Sequence, residues 1–280
     1  MKGLTELGQV KTYQTLICGA TFAGIGMAVS DNSSCLIVEP SSTVGNEFIA
    51  CLNPGENWNQ QPQHAHGLAL IHDMTNRNLL LADGRVHLPG LHPLLCERIH
   101  RHKRDVLFLT DIVKVEKLQH EYEVTLHHVA GFTKVRAERI IDTTTACLSR
   151  TDWTAPIASK RINAYVDCVD QAIQLPDLTA YPDVQIRQGR FDAEFIFSLA
   201  LSPEDDWPSA RRKLNGYWEN RPDVLRSWRL TSIASAFEIK QQSPEWRSDN
   251  WYWMPSCAFD NPVLAFDSQL SPFISKEALR

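Results

Sequence analysis

The sequence has no Gly-x-Ser-x-Gly elbow, no Walker loop and no zinc-protease helix motif, which removes the common hydrolase and NTPase chemistries. It has no paired cysteines. The seven cysteines at 18, 35, 51, 96, 147, 168 and 257 include no CxxC, as expected of free thiols in a reducing cytoplasm. No apolar run approaches the length of a membrane span, and the amino-terminal MKGLTELGQVKTYQ lacks the apolar stretch of a signal peptide. Charge of one sign is not in excess either. Twenty-eight Lys and Arg against 33 Asp and Glu give −5, with no general attraction for nucleic acid or an anionic membrane. The one basic cluster, His100 to Arg104, fits the solvated end of a helix.

What is present is an ordinary globular composition, 43% hydrophobic and 22% charged over 280 residues, enough for one large domain or two modest ones. All ten histidines lie between His64 and His128, and seven of the eight tryptophans between Trp153 and Trp253. The change near residue 150 marks an expected boundary. Residues 1–150, with a returning tail 251–280, form one domain, and 151–250 form a second.

The segment that carries chemistry is Leu16-Ile-Cys-Gly19-Ala-Thr21-Phe-Ala-Gly24-Ile-Gly26, followed by Leu36-Ile-Val-Glu39. It reads as a buried strand, a tight glycine turn, a helix start, a second buried strand and an acid at that strand's end. Gly19 permits the sharp turn, and Gly24 lets the helix approach the sheet. The helix amino terminus offers free N–H groups to a pyrophosphate. Glu39, twenty residues after Gly19, suits the two hydroxyls of an adenosine ribose and disfavours a 2′-phosphate, which argues against NADP. Thr21 stands where the Gly-x-Gly-x-x-Gly pattern has its middle glycine. Its hydroxyl can donate to a phosphate there.

The chain resembles the two-dinucleotide-binding-domain flavoproteins, the glutathione-reductase-like superfamily. Beyond the glycine turn, the likeness rests on Pro40-Ser-Ser-Thr-Val-Gly45-Asn46-Glu47-Phe48, on the strand Val106 to Val115, and on Val135 to Thr144 with its Ile140-Ile141-Asp142-Thr143-Thr144. These follow the family's order over most of residues 14 to 146. The resemblance implies an α/β fold: a Rossmann-like FAD-binding domain with a second α+β substrate or cap domain. It implies FAD as cofactor, held by Gly19, Ala20, Thr21, Phe22, Ala23, Gly24, Glu39, Pro40, Gly45, Asn46, Glu47, Ile112, Val113 and Thr144. The implied activity is oxidoreduction of a small organic molecule by hydride transfer to or from the flavin. The resemblance gives no catalytic residue. The first helix is about a turn short. The family's late Gly-Asp motif has only 255–262 as its nearest counterpart, and Thr145 replaces the glycine that ends the Asp142 segment.

Two other readings stay open: a catalytically silent nucleotide-binding partner subunit or scaffold, and an NAD enzyme using the adenosine half of the site. A homo-oligomer is compatible with all three.

Other residues carry weaker signals. His64-x-His66 with His72 and Asp73 lacks the partners of a metal set, so no metal is expected. Cys51 reads as a buried thiol. Trp251 and Trp253 on a short strand read as a wall for a flat substrate. Ser202-Pro203 reads as a helix start, with a break near Gly216 and a second helix from Pro222 to Phe237.

Overall fold

The computed structural model describes residues 10–31, 33–150, 152–169, 175–241 and 246–269. The chain begins β1 (Lys11–Cys18), α1 (Phe22–Ser30), β2 (Cys35–Val38), α2 (Ala65–Asn76) and α3 (Leu91–Arg101). The short strand β3 (Asp105–Leu107) and the antiparallel ladder β4 (Asp111–Lys117), β5 (Tyr122–His128) and β6 (Gly131–Asp142) follow. The second half holds β7 (Ile157–Cys168), β8 (Val184–Gln188), β9 (Phe195–Leu201), α4 (Trp207–Glu219), β10 (Trp228–Ile233) and β11 (Glu238–Gln241). The chain then returns through β12 (Trp246–Ser248), β13 (Trp251–Trp253) and α5 (Pro262–Asp267).

The first sheet runs β12-β13-β6-β1-β2-β3, with β5 on β6 and β4 on β5. β1 is parallel to both β2 and β6, which requires crossover connections and buries it on both faces. That is why Leu16, Ile17, Cys18 and Leu36 to Val38 are all buried and show no alternation. The long β6 serves two neighbours. Its first half pairs antiparallel with β5, and its last residues pair parallel with β13. The second sheet, β10-β7-β9-β8 with β11 on β7, is antiparallel. Its alternating Ile162, Ala164, Val166 and Phe195, Phe197, Leu199 face a core shared with Leu214, Leu225 and Trp228.

Several sequence expectations change. The segment after Pro222 forms one 3-10 turn, Asp223–Leu225, and then strand β10, not a helix to Phe237. Pairing with β7 and burial of Trp228 decide this against local propensity. The helix expected from Ser202 begins at Trp207, where the Asp206 side chain caps it by accepting from the Ser209 amide. Asp205 is instead used by the preceding turn and Lys213. No break occurs at Gly216, because nothing crowds the helix there. His64 and His66 lie at the start of α2, and both turn toward the end of α5.

Candidate functional site

The carboxyl ends of β1 and β2 meet the amino end of α1, as the glycine-turn reading requires. Gly19 has φ +96° and makes the turn. A Cβ at Gly24 would lie 2.3 Å from the Gly19 carbonyl oxygen and 2.8 Å from the Thr143 hydroxyl, so only glycine allows this approach. Gly26 does the same for the neighbouring helix, since its Cβ would lie 1.9 Å from the Phe266 carbonyl oxygen of α5.

Glu39 is buried at the end of β2. Its carboxylate accepts from the Ala20 amide at 2.8 Å and the Ser41 amide at 2.9 Å, which fixes it at the mouth of the turn. Beside it lies a cavity of about 170 Å³ lined by Gly19, Val38, Pro40, Thr110, Ile112 and Thr144, with Cys18, Asp111 and Leu148. Residues far apart in sequence are thus gathered on one side of the turn. Val113, the next residue on β4, does not line the cavity and is 44% exposed.

Thr144 and its neighbours are held by Asp142. The Thr144 amide and hydroxyl and the Ser149 amide all donate to its carboxylate. Asp142 is fully buried, and burial raises its pKa above the ordinary carboxylate value despite these donors.

The loop after β2 folds back onto α1. Gly45, at φ +67°, donates its amide to the Ala20 carbonyl oxygen. Asn46 holds the loop through Ser41 and Thr43. The loop thereby delivers Glu47 to the amino end of α1.

There the expected pyrophosphate donors already have partners. The Phe22 amide donates to Glu47 Oε1 at 2.7 Å, and the Ala23 amide to Ser256 Oγ at 3.1 Å. The Gly24 amide donates to Thr21 Oγ1 at 3.0 Å. Ser256, from the turn between β13 and α5, also donates its hydroxyl to Glu47 Oε1 at 2.5 Å. The Thr21 hydroxyl donates to Thr143 Oγ1 rather than pointing outward to a phosphate. Glu47 is buried, and burial pushes its pKa up to about 7 against the pull of the Ser256 and Phe22 donors. Its Oε2 has no hydrogen-bond partner.

Sequence reasoning placed Glu47 at the site but missed Ser256 as its partner. The only signal for Ser256 was the 255–262 segment, the counterpart of the late family motif.

Other candidates resolve into packing. Cys51 is fully buried, burial raises its pKa strongly, and its thiol donates to the Glu47 carbonyl oxygen. Trp253 is buried against Trp153 and donates to the Thr144 carbonyl oxygen, so it supports the Asp142 turn and is no substrate wall. Trp251 packs on Tyr122. No cluster of three or more His, Cys, Asp or Glu side chains able to hold a metal occurs among the described residues. Among those residues no helix is long and apolar enough to cross a membrane.

No protein-family model and no curated protein matches this chain. Solved structures do. The p-nitrophenol 4-monooxygenase PnpA from Pseudomonas putida DLL-E4 superposes with a TM-score of 0.57 at 11% identity, over 92% of this chain and 76% of that one. A flavoprotein/dehydrogenase from Cytophaga hutchinsonii gives 0.55 at 12%, over 92% and 76%. The flavin-dependent monooxygenase PieE, solved with FAD and substrate, gives 0.55 at 13% over 91% of this chain, which spans 56% of that protein. At these identities the likeness establishes the fold alone: a Rossmann-like α/β domain joined to a second α+β region.

Proposed function

We propose that this chain is an FAD-dependent oxidoreductase acting on a small organic substrate, closer to the flavin monooxygenases than to the disulfide reductases. The observation that carries the reading is the cavity beside Glu39, which gathers Gly19, Pro40, Ile112 and Thr144 at the carboxyl ends of parallel strands. Nucleotides bind at that position in doubly wound sheets. The absence of a cysteine pair near Cys51 separates it from the dithiol chemistry of the reductases.

The fit is uneven along the site. The nucleoside end suits an adenosine: Val38, Pro40, Ile112 and Leu148 offer apolar contact beside the polar Thr110, Asp111 and Thr144, and Glu39, though not part of the lining, stands fixed at the strand end next to it. The diphosphate end does not fit the side-chain arrangement described above, because Glu47 and Ser256 take up the α1 amides there. A bound flavin would supply the hydride chemistry.

In this reading residues 1–150 with 251–280 form the cofactor part and 151–250 the substrate part. Residues 270–280 lie outside the described ones. A second cavity of about 140 Å³, lined by Glu56, Glu238, Lys240, Gln241, Cys257 and Phe259, lies between β11 of the second sheet and the loop and turn residues 53–56 and 257–260, and is the candidate substrate chamber.

The filled diphosphate end favours one alternative, a nucleotide-binding partner subunit without turnover. An absorption spectrum of the purified protein after incubation with FAD and desalting decides between them. A retained flavin band is expected. A colourless protein that binds adenosine or ADP but no FAD would support the silent subunit.

A further inference from the structure

The amino end of α1 carries its own anion. Three consecutive amides, Phe22, Ala23 and Gly24, are satisfied by Glu47, Ser256 and Thr21. The Glu47 carboxyl thus takes the place a phosphate would take at a helix amino terminus. Its second oxygen is buried and has no partner, which no purely structural cap requires. Glu39 accepts from the Ala20 amide, two residues before Phe22 in the same turn, and adds like charge. Glu47 forms no ion pair among the described residues that would neutralise it. The cavity beside Glu39 is lined by neither Glu47 nor Ser256.

We propose that Glu47 is a specificity-determining residue of the nucleotide site: its carboxyl is a resident stand-in for the diphosphate, held by Ser256, that leaves the nucleoside cavity open and weakens, without preventing, the binding of a ligand with a diphosphate. This rests on the nucleotide-site reading of the cavity beside Glu39. A nucleoside enters without disturbing Glu47. A dinucleotide must turn the carboxyl off the Phe22 amide or meet its charge. Ser256 belongs to the returning segment before α5, so the contact also ties cofactor loading to the packing of that segment against α1.

The test measures adenosine, ADP and FAD affinity by calorimetry, with flavin fluorescence quenching for FAD, on wild type, Glu47→Gln and Glu47→Ala. Far-UV circular dichroism establishes that each variant is folded, and Glu47→Gln keeps an acceptor for the Phe22 amide should the alanine variant fail to fold. The expected result is that adenosine affinity stays within about twofold in all three proteins. ADP and FAD should bind roughly tenfold or more tightly to the variants than to wild type, the scale for relieving like-charge contact in a buried site.

If ADP and FAD bind wild type as well as or better than the variants while adenosine affinity holds, Glu47 is no barrier. The proposal then fails and the nucleotide-site reading stands. If none of the three ligands binds any folded protein, the nucleotide-site reading fails and takes the proposal with it.

Discussion

Glu47 and Ser256 are 209 positions apart in the chain and share a 2.5 Å hydrogen bond at the amino end of α1. The pair closes the turn between β1 and α1 from two directions. Glu47 arrives on the loop after β2, and Ser256 on the segment that follows β13.

Ser256→Ala removes the donor to Glu47 and the acceptor for the Ala23 amide together. Both groups left behind are buried. The expected loss is about 1–3 kcal/mol of unfolding free energy, the scale for orphaned buried polar groups. Urea denaturation of the two proteins measures it, and an unchanged midpoint would show that the pair contributes nothing to the fold.

Glu47 also gives the fold a pH signature. Its pKa is raised by burial to about 7, above the ordinary value of 4.5, so the native state holds this proton more tightly than the unfolded chain. The stability it lends is complete below the unfolded pKa and is lost as pH rises through the folded one. The loss is on the order of 3 kcal/mol. The titratable groups facing it are Glu39 at the end of β2, Cys51 on its own loop and Cys257 beside α5. Buried Asp142 shifts in the same direction, so wild type alone does not isolate Glu47. The difference between wild type and Glu47→Gln does. Thermal melts across this range should show wild type falling behind the variant as pH rises. Parallel curves would mean that Glu47 titrates normally.

Gly26 and Gly216 are both helical glycines and should respond oppositely to alanine. At Gly26 the added Cβ meets the backbone of α5, and overpacking of that kind costs about 1–3 kcal/mol or more. At Gly216 nothing lies within 4 Å, and the gain in helix propensity should stabilise by about 0.5–1 kcal/mol. Melting temperatures of the two variants test this. A stabilised Gly26→Ala would contradict the tight α1–α5 contact.

Thr21 acts in this structure as the cap of α1 and a partner of Thr143. Thr21→Ala should therefore cost about 1 kcal/mol even without any ligand, whereas Thr21→Ser keeps the hydroxyl and should be near neutral. Equal stability of the two variants in chemical denaturation would remove the capping role.

The sequence by itself determined the β1–α1–β2 unit. Glycines at a turn, apolar runs too continuous for a half-exposed sheet, and an acid at a strand end are local signals with one physical solution. Tertiary structure decided what depends on distant partners. Trp228–Ile233 became a strand because β7 offered it a hydrogen-bonding edge. Helix α2 (Ala65–Asn76) starts where it does because Asp267, at the end of α5, accepts the Gln63 and His64 amides. The sequence brought Glu47 only to the neighbourhood of the glycine turn. That its carboxyl caps the helix depends on Ser256, which only the folded chain brings within reach, because buried N–H groups take whichever acceptor the fold delivers to them.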